Sequence, residues 1–185
     1  WLSRIAKPNY PDRLIFDLDP AASGFEQVQE AAAHLRELLE ELGLKSFVMT
    51  TGSKGAHVVI PLRRKNDFER VREFGTDVAA VLIRRQPDSL TTEQHKDKRG
   101  KKLYIDVMRN GYGQTGVAPY SLRAVDEAAV ATPLDWREFF NLSDARKYTL
   151  KNIFHRLARK EDPWQGMGRH AMSLSAPRAK LNKFL

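Results

Sequence analysis

Cysteine is absent from this chain, so it has neither a disulfide framework nor a thiolate metal site, and it suits a reducing cytoplasm. Nowhere does an apolar run approach the ~20 residues of a membrane helix, and no signal peptide opens the sequence. Acidic charge is in short supply: 31 Lys and Arg face 23 Asp and Glu, a formal net charge of +8. A basic chain attracts polyanions, nucleic acid first. Anionic membrane is a poorer match, because no helical segment is both strongly basic and strongly amphipathic. Charge alone leaves open an ordinary basic protein. The 185 residues suffice for one compact domain with a full core.

The chain alternates strand and helix patterns. In "RLIFDLD" (13–19), Leu14, Phe16 and Leu18 alternate with Ile15, Asp17 and Asp19, which predicts a half-buried strand. "SGFE" offers a helix start with Ser23 as N-cap and Glu26 three residues on. Val28, Ala31, Ala32, Leu35, Leu38, Leu39 and Leu42 follow at helical spacing up to Gly43. "KSFVMT" (45–50) and "AHVVIPL" (56–62) read as strands, "NDFE" (66–69) as a second helix start, and "LYIDVM" (103–108) as a fourth strand. "GVAPYSLRA" (116–124) reads as extended, with Pro119 confining it to an edge or bulge. Beyond "TPLDW" the chain turns helical around 150–159, and residues 164–185 read as a basic tail. The succession βαββαβ predicts an α+β fold with an RRM-like antiparallel sheet and helices on one face. Strands three and four then flank strand one, both antiparallel to it.

Chemistry concentrates at one end of that sheet. Asp17 and Asp19 are two apart on a strand and leave the same face. Asp106 lies in an otherwise apolar strand, where an unpaired carboxylate is costly. Three carboxylates on neighbouring strands suit two Mg²⁺ or Mn²⁺ ions and phosphoryl transfer. The ordinary alternatives are solvated acids at a strand end, and Asp106 paired with Arg109 or a nearby lysine.

"TTGSKGAH" (50–57) resembles a phosphate loop, but its glycine spacing is too short and a strand follows where a P-loop needs a helix. It therefore reads as a Gly-rich turn between strands, next to the carboxylates. Backbone N–H groups there, with Ser53, Lys54, Gly55 and His57, form a candidate triphosphate cradle. Ser121 and Arg123 share one face of "APYSLRA", and Arg123 offers a rigid bidentate fork. The basic loop, with Lys96, Lys98, Arg99, Lys101 and Lys102, offers charge to clamp a DNA template or a triphosphate beside a metal site. Hairpin geometry, an internal hydrogen bond and a solvated face are the plain alternatives for these residues.

Together "DRLIFDLDP", "TTGSKGAHVVIPL", "RGKKLYIDVMRNGYGQTGVAPYSLRA" and "TPLDW" resemble, in order, the polymerase domain of bacterial DNA ligase D, of the archaeo-eukaryotic primase superfamily. The likeness runs from Trp1 to Trp164. It implies a primase-polymerase catalytic core over 1–163 that fills gaps and extends broken DNA ends in non-homologous end joining. It implies two Mn²⁺ or Mg²⁺ ions on Asp17, Asp19 and Asp106, with Ser53, Lys54, His57, Arg99 and Arg123 on the nucleoside triphosphate. Gapped or broken DNA, the end-binding protein Ku and covalently linked ligase and nuclease domains are the implied partners, in a bacterial cytoplasm at the nucleoid. In that family a further segment precedes "WLSR" and grips the downstream 5′-phosphate, so this chain reads as either a fragment of a longer protein or a naturally short relative. A nucleic-acid-binding module without catalysis, or a metal-dependent nuclease, are the rival functions.

Overall fold

The computed structural model describes residues 1–21 and 24–185. A hairpin of β1 (Ser3–Arg4) and β2 (Lys7–Pro11) leads into β3 (Arg13–Asp19). The helix α1 (Phe25–Glu41) precedes β4 (Phe47–Thr50) and β5 (Ala56–Pro61), and α2 (Phe68–Arg85) precedes β6 (Leu90–Thr91) and β7 (Leu103–Asp106). β8 (Thr132–Leu134), α3 (Trp136–Phe140), α4 (Ile153–Leu157) and α5 (Ser175–Leu181) complete the chain. The fold is α+β. Its six-stranded sheet runs β6-β7-β3-β5-β4-β8, antiparallel throughout except for β6 beside β7. The four strands expected from the sequence thus lie as fourth, first, third, second, with β3 flanked by β5 and β7.

Alternation in β3 sorts its side chains onto two faces. Leu14, Phe16 and Leu18 are fully buried under α1 and α2, whose leucine and valine stripes complete that core. Each such side chain contributes roughly 1.5–3 kcal/mol of burial. Ile15 faces the other way and joins Met49, Val59 and Trp164 in a smaller cluster. Asp67 caps α2 by accepting from the Arg70 N–H at 2.9 Å. Gly43 closes α1 with φ near 80°, where only glycine is unstrained. Ser23, expected as the cap of α1, lies outside the described residues.

Two readings change. The stretch 116–124 is not continuously extended: Pro119 and Tyr120 form a turn, and Tyr120 has φ near 63°. Its N–H donates to the Ala131 carbonyl at 2.7 Å, which holds the turn against the sheet edge. The segment 164–185, expected as a basic tail, folds back onto the domain. The Trp164 indole donates to the Val48 carbonyl at 3.1 Å, Leu181 is fully buried, and Arg178 pairs with Asp77 of α2.

Candidate active site

Register decides which side chains meet. Asp17 sits opposite His57 of β5 on one side and opposite Asp106 of β7 on the other. Directly opposed residues project to the same face, so His57, Asp17 and Asp106 form one row across three strands. Asp19 lies one step further along, opposite Tyr104. This row floors a cavity of about 520 Å³, lined also by Ser53, Lys54 and Gly55 of the β4–β5 turn and by Ser121 and Arg123. Nine of the residues expected at the site therefore face one cavity.

The turn owes its position to glycine. A Cβ on Gly55 would stand 2.1 Å from the Leu18 carbonyl oxygen, so only glycine lets the turn close onto the end of β3. Gly52, at φ near 66°, is less crowded, a Cβ there standing 2.8 Å from the Arg123 side chain and about 3 Å from the backbone of 130–131. Arg123 donates to the Thr51 carbonyl at 3.1 Å, and Arg146 to the Ser53 carbonyl at 3.3 Å, from opposite sides.

Basic residues engage each carboxylate in turn. Arg109 Nε donates to Asp17 Oδ2 at 2.8 Å and lies 3.6 Å from Asp106 Oδ2. His57 Nε2 is 3.5 Å from Asp17 Oδ1, and Arg99 donates to Asp19 at 3.3 Å. Burial works against the ionised Asp17, but the His57 hydrogen bond and the charges of His57 and Arg109 outweigh it and hold the carboxyl below its usual range. Burial, with the Asp106 charge beside it, lifts the Tyr104 phenol above its ordinary value. His57 is buried, and its Nδ1 has no partner among the described residues.

The donor set is all oxygen and shares one face, which is the chemistry hard divalent cations take. As they stand, no three His, Asp or Glu among the described residues form a group that could hold a metal ion. Asp17, Asp19 and Asp106 each lie within reach of an arginine, with which a cation would compete.

The basic loop divides. Arg99 is buried and pinned, donating to the carbonyls of Glu93 at 2.8 Å and Gln94 at 2.7 Å and stacking over Tyr104. With Lys54 and Lys96 it lines a smaller cavity of about 130 Å³ beside the first. Lys98 and Lys101 are exposed and Lys102 half-buried, and none of them lines the larger cavity.

Asn110 is a residue the sequence did not single out. Its buried amide accepts from the Ile15 N–H at 2.9 Å and donates to the Ile15 carbonyl at 2.7 Å and the Val107 carbonyl at 2.9 Å. The side chain thereby stands in for a peptide group and continues β7's pairing with β3. No local pattern announces a contact across 95 positions. Arg109 was read only as a possible partner of Asp106, and its shorter bond to Asp17 is equally non-local.

The family model described as "LigD, primase-polymerase domain" matches residues 1–164. The multifunctional non-homologous end joining protein LigD of Pseudomonas aeruginosa is 33% identical over 167 residues, covering 89% of this chain and 20% of that protein. The bifunctional LigD of Bacillus subtilis is 30% identical over 160 residues, covering 85% of this chain and 26% of that protein. This chain thus spans about a quarter or less of these relatives. A solved structure, the polymerase domain from Mycobacterium tuberculosis Ligase D in complex with DNA, superposes with a TM-score of 0.79 at 32% identity, over 88% of this chain and 56% of that one. Matched by the family model over residues 1–164 and by relatives 30% to 33% identical across most of its length, this chain belongs to the LigD primase-polymerase domain family.

Proposed function

We propose that this chain is the catalytic core of a template-directed nucleotidyltransferase that fills gaps and extends ends during non-homologous end joining. The observation that carries the reading is the row His57–Asp17–Asp106 facing one cavity with the glycine turn at 51–55. Asp17, Asp19 and Asp106 would hold two Mn²⁺ or Mg²⁺ ions, which would supply charge neutralisation at the α-phosphate and acidify the primer hydroxyl.

The protein's own groups do the positioning. Lys54 and Arg123 receive the triphosphate charge, and Ser53 and the turn's N–H groups hydrogen-bond its oxygens. His57, whose Nδ1 has no partner among the described residues, donates from that nitrogen to a phosphate oxygen. Ser121 hydrogen-bonds at the same wall, and Arg99 with Lys96 approaches the terminal phosphate from the adjoining cavity. Asp106 orients the primer 3′-hydroxyl, which attacks in line while pyrophosphate leaves. Lys98, Lys101 and Lys102 give sequence-independent contacts to DNA phosphates. The relative solved with DNA supports a DNA substrate. The multifunctional relatives support linked domains, with ligase and nuclease as the proposed activities and Ku as a proposed partner, in the bacterial cytoplasm at the nucleoid.

The test is extension of a gapped primer–template with labelled nucleotides. Growth of the primer with Mn²⁺ or Mg²⁺, lost in Asp106→Asn, is expected. DNA binding without extension identifies a non-catalytic module instead, and strand degradation identifies a nuclease.

A further inference from the structure

The Arg109 guanidinium lies between two carboxylates that face each other across a strand pair. Like charges directly opposed in a sheet repel, and Asp17 and Asp106 are only 14% and 18% exposed, so water screens them weakly. Arg109 relieves this repulsion, at 2.8 Å from Asp17 and 3.6 Å from Asp106. It does so incompletely: His57 also reaches Asp17, at 3.5 Å, but among the described residues Arg109 is the one basic side chain within ion-pair distance of Asp106. A divalent cation on the same oxygens would neutralise both.

The anchoring of this arginine is asymmetric. Its backbone is fixed, because the neighbouring Asn110 is buried and tied to Ile15 and Val107 by three side-chain bonds. Its side chain is 45% exposed and lines the cavity. It can therefore rotate away without disturbing the turn after β7 that carries it.

We infer that Arg109 is an internal counter-ion which holds the Asp17–Asp106 pair in the metal-free protein and yields its place to the divalent cation, swinging into the cavity as a further phosphate-facing group. The inference rests on the proposed metal site. It makes Arg109 a positioning residue that stabilises the free protein and competes with metal until nucleotide is present to receive it.

The experiment is Mn²⁺ binding without nucleotide, read from the electron paramagnetic resonance signal of free Mn²⁺, for the wild type, Arg109→Gln and Arg109→Lys. Arg109→Gln is expected to bind Mn²⁺ about two- to tenfold more tightly, the range of a partly buried ion pair removed from competition. Arg109→Lys, which keeps the charge, should stay close to the wild type. Metal-free Arg109→Gln should also unfold at a lower temperature, and Mn²⁺ should restore more of its stability than it adds to the wild type. Should Arg109→Gln fail to fold, the wild type still decides: titration with Mg²⁺ must shift the Arg109 Nε–H resonance. An unmoved resonance, or unchanged or weaker Mn²⁺ affinity in Arg109→Gln, overturns the exchange. Absence of Mn²⁺ binding in the wild type overturns the metal site itself.

Discussion

Two clusters of charge sit in this molecule, and they are built to opposite rules. Around Glu138 every carboxylate oxygen is taken at short range. Arg156 donates to both oxygens at 2.9 Å, Lys160 adds a bond at 2.8 Å and the Tyr148 hydroxyl one at 2.6 Å. Lys160 also reaches Asp135, the cap of α3, so this cluster ties α4 to α3 and β8. Around Asp17 the contacts are fewer and several are longer, at 3.3 to 3.6 Å, and a buried imidazole nitrogen lacks a partner. With both Glu138 oxygens doubly engaged, the first cluster has no carboxylate left to offer a ligand and serves the fold, although Arg156 Nη1 is itself buried without a partner among the described residues. An under-satisfied one, opening on a cavity, keeps binding capacity in reserve.

The largest effect that could break this contrast concerns stability. Glu138→Ala leaves Arg156 buried without its partner and should cost about 3–5 kcal/mol, seen as a fall in denaturant midpoint. An unchanged midpoint would show the Glu138 cluster to be ornamental. The same residue sets an acid limit. Burial opposes the Glu138 charge, but Arg156, Lys160 and Tyr148 hold its pKa down to about 2. A carboxyl depressed in the fold stabilises fully above its unfolded value near 4.5, and that contribution fades as pH falls through about 2. It amounts to about 3 kcal/mol. Glu138→Gln should therefore flatten the pH dependence of thermal unfolding between those two values.

The active-site cluster should respond the other way. Asp106→Asn is expected to lower extension by about 10²–10³-fold while leaving the unfolding temperature equal or higher, because it removes one of two opposed charges. Loss of fold in this variant would erase the distinction. Lys54→Ala, His57→Ala and Arg123→Ala should each weaken nucleoside triphosphate binding by about 1.5–3 kcal/mol in calorimetry with Mn²⁺. Unchanged affinity in all three would remove the triphosphate from the glycine turn. The smallest effect belongs to the exposed loop. Lys101→Ala should reduce the slope of log affinity for duplex DNA against log salt by about 0.9, with nucleotide binding unaltered.

What the sequence disclosed follows from the range of each interaction. Alternation in 13–19, the leucine stripe of α1 and the helix start at 66–69 are local, and the βαββαβ succession they define carries the central strand order. Asp17, Asp19 and Asp106 could be placed together because strand order follows from connectivity. β8 escaped because Pro133 breaks strand expectation, and the sheet tolerates it only by placing that strand at the edge beside β4. The turn at Tyr120 escaped because its left-handed backbone is held by a carbonyl eleven positions on. Among site residues, the glycine turn was readable from spacing, whereas Arg109 and Asn110 act across more than 90 positions. The internal pinning of Arg99 by Glu93 and Gln94 is local, yet the motif signals a ligand rather than a staple.

The amide of Asn110 has a consequence in time. The Ile15 N–H lies in the centre of the sheet, where exchange with solvent normally waits for global unfolding. Its acceptor, however, is a side chain on the loop that carries Arg109. Were residues 107–117 to part from β3, that one hydrogen would be exposed while its neighbours on β3 stayed bonded to β5. The exchange rate of Ile15 would therefore time any opening of this loop from inside a strand that is otherwise still.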